Sequence, residues 1–441
     1  MQKQLTDGLI LRTLSEGFAS DREHLPDFYA SINTAGESDH VQDGIRHWTR
    51  DLMSGHPTTT PDDIFVVIDS TKDDMLVSAT LLIPQTWRYE NIDIAVGRPE
   101  LVATHPDYRS RGLVRALFDA VHERSAALGH QLQVITGIPY FYRKFGYTMA
   151  VELGEHAVFQ LSALPELPPD AQPEFTLRPA TTEDITDISI WNAYFARERL
   201  MTDHYSPEIL RYEITGRHPT YYPRTEYQMI VDITGRAVGY VTTIDSLDEP
   251  YRIRCIAYVV GDQSSYLATF KDVMQGIKAQ ATTKYGRCPA MLAFGSGMHE
   301  ALDRLIEWSP GGLVKQRQDY AWYLRVPDTI GFLNHVAPVL EQRLDASGAH
   351  RYSGELRIGF YDLTGIALKF ENGRLCVIQP IDGKDGYDIQ FPWHTFWNVV
   401  FGHHTAEELF VVLPETYANA KASVLLAALF PKKRSWLQGL A

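Results

Sequence analysis

The stretch that most constrains this chain runs from Leu101 to Tyr147, LVATHPDYRSRGLVRALFDAVHERSAALGHQLQVITGIPYFYRKFGY. Leu101 to Thr104 is short, apolar and β-branched, the pattern of a buried strand. His105 to Tyr108 interrupts it. From about Arg109 the apolar residues Leu113, Leu117, Ala120, Val121 and Leu128 recur at helical spacing, and Gly129 stands where a helix stops. The order is strand, basic glycine turn, helix.

The first backbone N–H groups of a helix have no internal partner, and with the helix dipole they form an anion site. Arg109, Ser110, Arg111 and Gly112 lie there. Glycine lets a phosphate approach the backbone, and guanidinium groups add charge and paired hydrogen bonds. Four such residues alone also fit a solvated helix start, so the context decides. Gln131 to Thr136 reads as a second strand, Gly137 to Pro139 as a break, and Tyr140 to Tyr147 as an aromatic turn.

This order resembles the acetyl-CoA-binding half of the GNAT N-acetyltransferases. Their phosphate signature, Arg/Gln-x-x-Gly-x-Gly/Ala after a strand, stands here as Arg109-x-x-Gly112-x-Val114. Val114 departs from the usual small residue. With Leu113, Arg115 and the Tyr142-x-x-Phe145-Gly146-Tyr147 turn, the departure is similar to one branch, the Eis-like (enhanced intracellular survival) acetyltransferases. The resemblance implies acetyl-CoA as co-substrate, with its phosphates on the turn Arg109 to Arg115. It implies pantetheine pairing at Val102, Ala103 and Thr104, the thioester near Gly137 and Ile138, and Tyr142 as general acid. For the base it offers the carboxylate of Ala441, with Glu100, on the strand before the turn, as the rival.

At 441 residues the chain is expected to hold roughly three domains of about 150 residues each. A formal charge of −14 argues against nucleic-acid or anionic-membrane partners and favours cationic ones. Cys255, Cys288 and Cys376 are far apart and show no metal-ligand spacing, so neither a disulfide framework, a zinc site nor any other metal is expected. Without an export signal or a run able to span a bilayer, the expected location is the cytoplasm.

Along the chain, Leu9 to Leu14 reads as a strand, Arg22 to Ile32 as a helix, and Ile64 to Ile68 with Met75 to Ile83 as a hairpin. Leu161 to Pro173, with four prolines, reads as a linker. Beyond it, FTLRPA from Phe175 resembles LILRTL from Leu9, and Gln228 to Asp232 with Ala237 to Thr242 repeats the hairpin, which suggests an internal duplication. The copy's strand Arg252 to Val260 runs into Gly261-Asp-Gln-Ser-Ser rather than an Arg-x-x-Gly turn. A degenerate copy without cofactor is expected. From Pro327 the pattern changes to an amphipathic helix (Ile330 to Leu344), strands with an Asn372-Gly373 turn, a capping box at Thr405 and Glu408, and a helical stretch from Tyr417 to Phe430.

The expected fold is thus α/β (α+β), with tandem GNAT-like mixed sheets flanked by helices. The boundaries are 1–163 for the catalytic domain, 164–326 for the degenerate copy and 327–441 for a third α+β domain. By the resemblance, which rests here on element order and on Phe396 to Gly402, the third domain is sterol-carrier-like. The resemblance also implies a primary-amine acceptor (polyamine, lysine or aminoglycoside-like) and a homo-oligomer, a hexamer in the family. A non-catalytic acyl-CoA or lipid carrier is the alternative. Two other clusters read as ordinary structure: His403-His404 with Glu407-Glu408 as a capped surface helix, and Arg46 to Arg50 as helix packing.

Overall fold

In the computed structural model, all residues are described except 167, 169, 171, 222–223, 246–251, 315–319, 383–385 and 440–441. The first sheet begins with β1 (Gln2–Gln4) and β2 (Leu9–Thr13). Helices α1 (Ala19–Asn33) and α2 (Asp39–Met53) follow, then β3 (Ile64–Asp69), β4 (Met75–Tyr89), β5 (Ile92–Thr104), α3 (Leu113–Ala127), β6 (Leu132–Ile135) and β7 (Thr148–Leu153). Apolar residues on the two faces of the central strands explain the layering. Val66, Leu81 and Ala103 bury against α1 and α2, while Phe65, Val77 and Leu82 bury against Leu113, Leu117 and Val121 of α3.

The next segment comprises β8 (Glu155–Gln160), β9 (Phe175–Pro179), α4 (Ile185–Ala196), β10 (Met201–Asp203) and α5 (Pro207–Arg211). It continues with β11 (Thr225–Asp232), β12 (Ala237–Asp245), β13 (Arg252–Val260), α6 (Tyr266–Tyr285), β14 (Met291–Gly295), α7 (Glu300–Glu307), β15 (Gly312–Val314) and β16 (Tyr320–Arg325). The two sheets have one plan. The first runs β2-β3-β4-β5-β6-β16-β7 and the second β9-β11-β12-β13-β14-β8-β15, with one parallel pair at the same place in each, β5 with β6 and β13 with β14.

The plan exposes a difference from the expected boundaries at 163 and 326. Strand β8 leaves the first sheet and pairs with β14 and β15, while β16 returns to lie between β6 and β7. Each half therefore completes the other's sheet. Only Gly154, at a φ of 112°, separates β7 from β8, and this backbone, which L side chains rarely adopt, lets the chain turn sharply away instead of closing a hairpin.

The remainder is α8 (Thr329–His335), α9 (Ala337–Asp345), β17 (Gly354–Phe360), β18 (Thr364–Glu371), β19 (Arg374–Asp382), β20 (Ile389–Phe391), α10 (Phe396–Val400), α11 (Ala406–Val412), β21 (Tyr417–Ala418) and α12 (Ala420–Leu429). The single helix expected over 330–344 is broken at Val336, because Pro338 in the first turn of α9 supplies no N–H to continue α8. The stretch expected to be helical from Tyr417 starts helix only at Ala420, after β21 pairs with β20. Asn372 and Gly373 form the expected turn with φ values of 52° and 81°, and Thr405 and Glu408 exchange the expected capping bonds. This third sheet shares a core with the first: Leu340, Phe360 and Leu426 pack in one cluster with Trp87, Val96 and Leu132.

Candidate functional site

The basic turn is anchored before it opens. Pro106 starts a short 3-10 turn, His105 accepts the N–H of Asp107, and the buried Tyr108 hydroxyl donates to Asp69 at 2.6 Å. The Arg111 guanidinium lies 4.7 Å from the Tyr108 ring centre, a cation–π contact. Ser110 and Gly112 both take positive φ, 62° and 78°. Helix α3 then starts at Leu113 with no side-chain cap on its free N–H groups. A β-carbon on Gly112 would meet nothing within 4 Å. Arg109, Ser110, Arg111, Gly112 and Arg115 are exposed, Val114 is half-buried, and Leu113 is buried in the α3 core.

The corresponding place in the second sheet is closed. Ser265 caps α6 by accepting the N–H of Ala268, and a β-carbon on Gly261 would lie 2.3 Å from the Trp191 indole nitrogen. Asp262 adds a negative charge in place of an arginine.

Next to the turn, the first sheet opens along one edge of β5. Strands β5 and β6 pair only at Val96 with Leu132 and Gly97 with Gln133, and diverge beyond. On its other edge β5 bulges: Ala79 pairs with Ala103 and Leu81 with Glu100, and Leu101 takes a φ of 52°. The bulge re-aims Val102, Ala103 and Thr104, whose backbone edge toward β6 is left without a strand partner among the described residues. Across the opening, Gly137 sits with a φ of 125° against Tyr142, where a methyl group would lie 3.3 Å from the hydroxyl oxygen. Ile138 beside it is exposed.

Tyr142 is 5% exposed and packs against Phe118, Phe141, Tyr147 and Tyr323. Burial first, and then the charge of Glu100, push its hydroxyl well above the ordinary tyrosine range, so it keeps its proton. Two neighbours escape sequence reasoning because they arrive on β16. The Tyr320 hydroxyl bridges the Gly137 carbonyl and amide at 2.5 and 2.6 Å, and Tyr323 accepts the Tyr140 N–H at 2.7 Å. In the sequence both lie near the end of the expected second domain, 164–326, with no motif that marks them.

Glu100 is held by Arg98, whose Nε and Nη2 both donate to its Oε1, at 2.9 and 2.5 Å. The same guanidinium donates through Nη1 to the carbonyl of Gly439 at 2.9 Å and lies over the Trp322 ring. Ala441 itself lies outside the described residues. A cavity of about 300 Å³, lined by His56, Ile83, Trp87, His130, Asp203 and Tyr205 among others, begins at Ile83, the residue paired with Arg98, and runs down β4 to Trp87. Burial pushes the Asp203 carboxyl up to about 6, against hydrogen bonds from Tyr205, Gly439 and Gln438. Burial holds His130 down at about 4, so it is neutral near pH 7.

The structure also assigns ordinary roles to the other clusters. Trp48 is buried against Tyr221, Arg46 pairs with Asp27 and Asp43 on the surface, and His47 stacks on His218 at 3.6 Å. Glu408 is occupied by the Thr405 cap and Lys432. Among the described residues no three His, Cys, Asp or Glu side chains are grouped to hold a metal, and no helix is long and apolar enough to cross a membrane.

With this geometry in place, comparison with known proteins gives a consistent picture. Residues 21–150 match the family model described as an acetyltransferase (GNAT) domain, a span that contains the whole basic turn with strands β5 and β6. No curated protein matches the chain by sequence. Among solved structures, a GCN5-related N-acetyltransferase from Kribbella flavida superposes with a TM-score of 0.65 at 14% identity, covering 99% of this chain and 100% of that one. A probable N-acyltransferase from Enterococcus faecalis V583 gives 0.64 at 14%, covering 97% and 98%, and Eis1 from Mycobacterium abscessus gives 0.60 at 12%, covering 98% and 99%. At such identities the likeness speaks for fold. Residues 21–150 are thus similar to a GNAT acetyltransferase domain, set in a mixed α/β chain whose fold is similar to these structures from end to end.

Proposed function

We propose that this protein is an acetyl-CoA-dependent N-acetyltransferase of Eis-like organisation that acts on a primary amine. The observation that carries the reading is one continuous path: an uncapped basic helix start opens onto a bulged, half-free strand that ends at a protonated tyrosine. The exposed guanidiniums of Arg109, Arg111 and Arg115 and the open face of Gly112 fit a pyrophosphate. The free edge at Val102 to Thr104 fits an amide-bearing arm, and Gly137 and Ile138 border the thioester. Bound acetyl-CoA supplies the acetyl group and a thiol leaving group.

The chain's own residues handle two protons. A lysine-like ammonium must lose one, which costs about 4 to 5 kcal/mol at pH 7. The base is a carboxylate, that of Ala441 or of Glu100, and Arg98 touches both Glu100 and the backbone two residues before Ala441. Tyr142 gives a proton to the departing sulfur. The chain's −14 charge and the carboxylate of Asp203 in the wall of the nearby cavity favour a cationic acceptor.

In this reading the second sheet, its helix start capped and filled, is a GNAT-like copy without cofactor. The third is a sterol-carrier-like unit, the assembly a cytoplasmic homo-oligomer, a hexamer as in the resembled family. The test is acetyl-CoA-dependent thiol release with polyamines, lysine peptides and aminoglycosides as acceptors. At least one amine should raise thiol release well above the rate in buffer. Tight acetyl-CoA binding with no amine-dependent release would favour a non-catalytic acyl-CoA carrier instead.

A further inference from the structure

The aromatic turn after β6 is held from far along the chain. Strand β16 pairs with β6 as far as Tyr323 with Ile135, and on its other edge it pairs with β7 up to Tyr320 with Leu153. Past Ile135 the backbone of β16 no longer pairs with β6. The Tyr320 side chain takes over there: its hydroxyl donates to the Gly137 carbonyl at 2.5 Å and accepts the Gly137 N–H at 2.6 Å. A phenol has one O–H to give and lone pairs to receive, so it engages both backbone groups of one residue, as a neighbouring strand would.

A second tether lies three residues on, where the buried Tyr323 accepts the Tyr140 N–H at 2.7 Å. Gly137 and Tyr140, with φ values of 125° and 63°, are the two residues of 136–141 that leave the ordinary backbone region, and both are held by β16. What the first tether sets is a distance. A β-carbon built on Gly137 would lie 3.3 Å from the Tyr142 hydroxyl oxygen and 3.4 Å from its ring, so the glycine is itself one wall around that hydroxyl. The Tyr142 ring is fixed by Phe118, Tyr147 and Tyr323, whereas Gly137 is exposed and is the side of the pair free to shift. A shift one way covers the hydroxyl, and a shift the other way lets water in beside it.

We propose that Tyr320 is a positioning residue for the transfer reaction: by holding both backbone groups of Gly137 it fixes the gap between this glycine and the Tyr142 hydroxyl. The inference rests on the reading that Tyr142 is the general acid. Tyr320 acts through Gly137 and gives no proton itself. Because β16 follows the strands of the second sheet in the chain, that half has a part in the reaction through this contact.

The test is a double-mutant cycle in the full-length protein with an amine acceptor, together with hydrogen exchange at single amides over residues 136–141. Gly137 is exposed and Tyr320 half-buried, so water can replace the hydroxyl lost in Tyr320→Phe, and the ring keeps its edge contact with Tyr323; the variant should fold like the wild type. Its Gly137 amide should exchange about tenfold faster, while that of Tyr140, bound to Tyr323, should not change. The kcat should fall roughly tenfold while the KM for acetyl-CoA stays within about twofold, a split that general destabilisation does not produce. In a Tyr142→Phe background the same substitution should change kcat by less than about twofold, because the group it positions is gone. Wild-type kcat in Tyr320→Phe, or the same roughly tenfold loss in the Tyr142→Phe background, would overturn the role. Unchanged exchange at Gly137 would overturn it whatever the turnover. Wild-type kcat in Tyr142→Phe alone would remove the acid, a failure of the functional reading seen without touching Tyr320, and the positioning role would go with it.

Discussion

Tyr142 shows how far single residues were legible before the fold was known. The resemblance marked it through the Tyr142-x-x-Phe145-Gly146-Tyr147 turn, and the structure puts its ring and hydroxyl against Gly137. If the hydroxyl protonates the leaving sulfur, Tyr142→Phe keeps the packing and removes the proton. The kcat should then drop roughly 10²-fold or more with acetyl-CoA affinity little changed; full turnover in this variant would reduce Tyr142 to a packing residue. Tyr320 was not legible in the same way. It stands 183 positions after the glycine it bridges, and no local pattern links a strand residue to so distant a partner. Arg98 and Asp203 escaped for a related reason, since each acts on backbone groups of the chain's last residues. Backbone amides and carbonyls have no sequence identity to read.

Among the elements, those with a strong local signal held their places. The capped α11, the Asn372-Gly373 turn and β13 over Arg252–Val260 follow from caps, turn residues and alternation. Strand β5 extends nine residues further back than the four apolar positions suggested, from Ile92, because Asp93, Arg98 and Glu100 break its pattern while its pairing with β4 holds it extended. The exchange of β8 and β16 could not be read at all. A strand's sequence states which face is buried and leaves its partner sheet open. The exchange has a direct consequence. A fragment of residues 1–163 lacks β16, so β6 and β7 lose the strand between them, and Ala157 and Phe159 of β8 lose their core. That fragment should show no cooperative thermal transition and should aggregate on concentration, whereas its co-expression with 164–441 should restore a soluble complex. A monomeric 1–163 that unfolds cooperatively would contradict the exchange.

At the scale of the whole molecule, two sheets of one strand order differ around the start of the helix that follows the fourth strand of each. In the first, Gly112 is open and flanked by arginines. In the second, Trp191 fills the space beside Gly261, and Ser265 spends the helix N–H on its own cap. The repeated strand pattern was legible in the sequence, and so was the absence of the arginines from the second turn; the filled space was not, because Trp191 comes from α4. On the proposed reading each chain therefore has one working acetyl-CoA cleft, located in the first sheet. Calorimetric titration of the full-length protein with acetyl-CoA tests that claim most directly. It should give one site per chain, and Gly112→Asp, which adds both a side chain and a negative charge at the phosphate position, should abolish binding while leaving the folded state intact by circular dichroism. Two sites per chain, or unchanged affinity in folded Gly112→Asp, would contradict it.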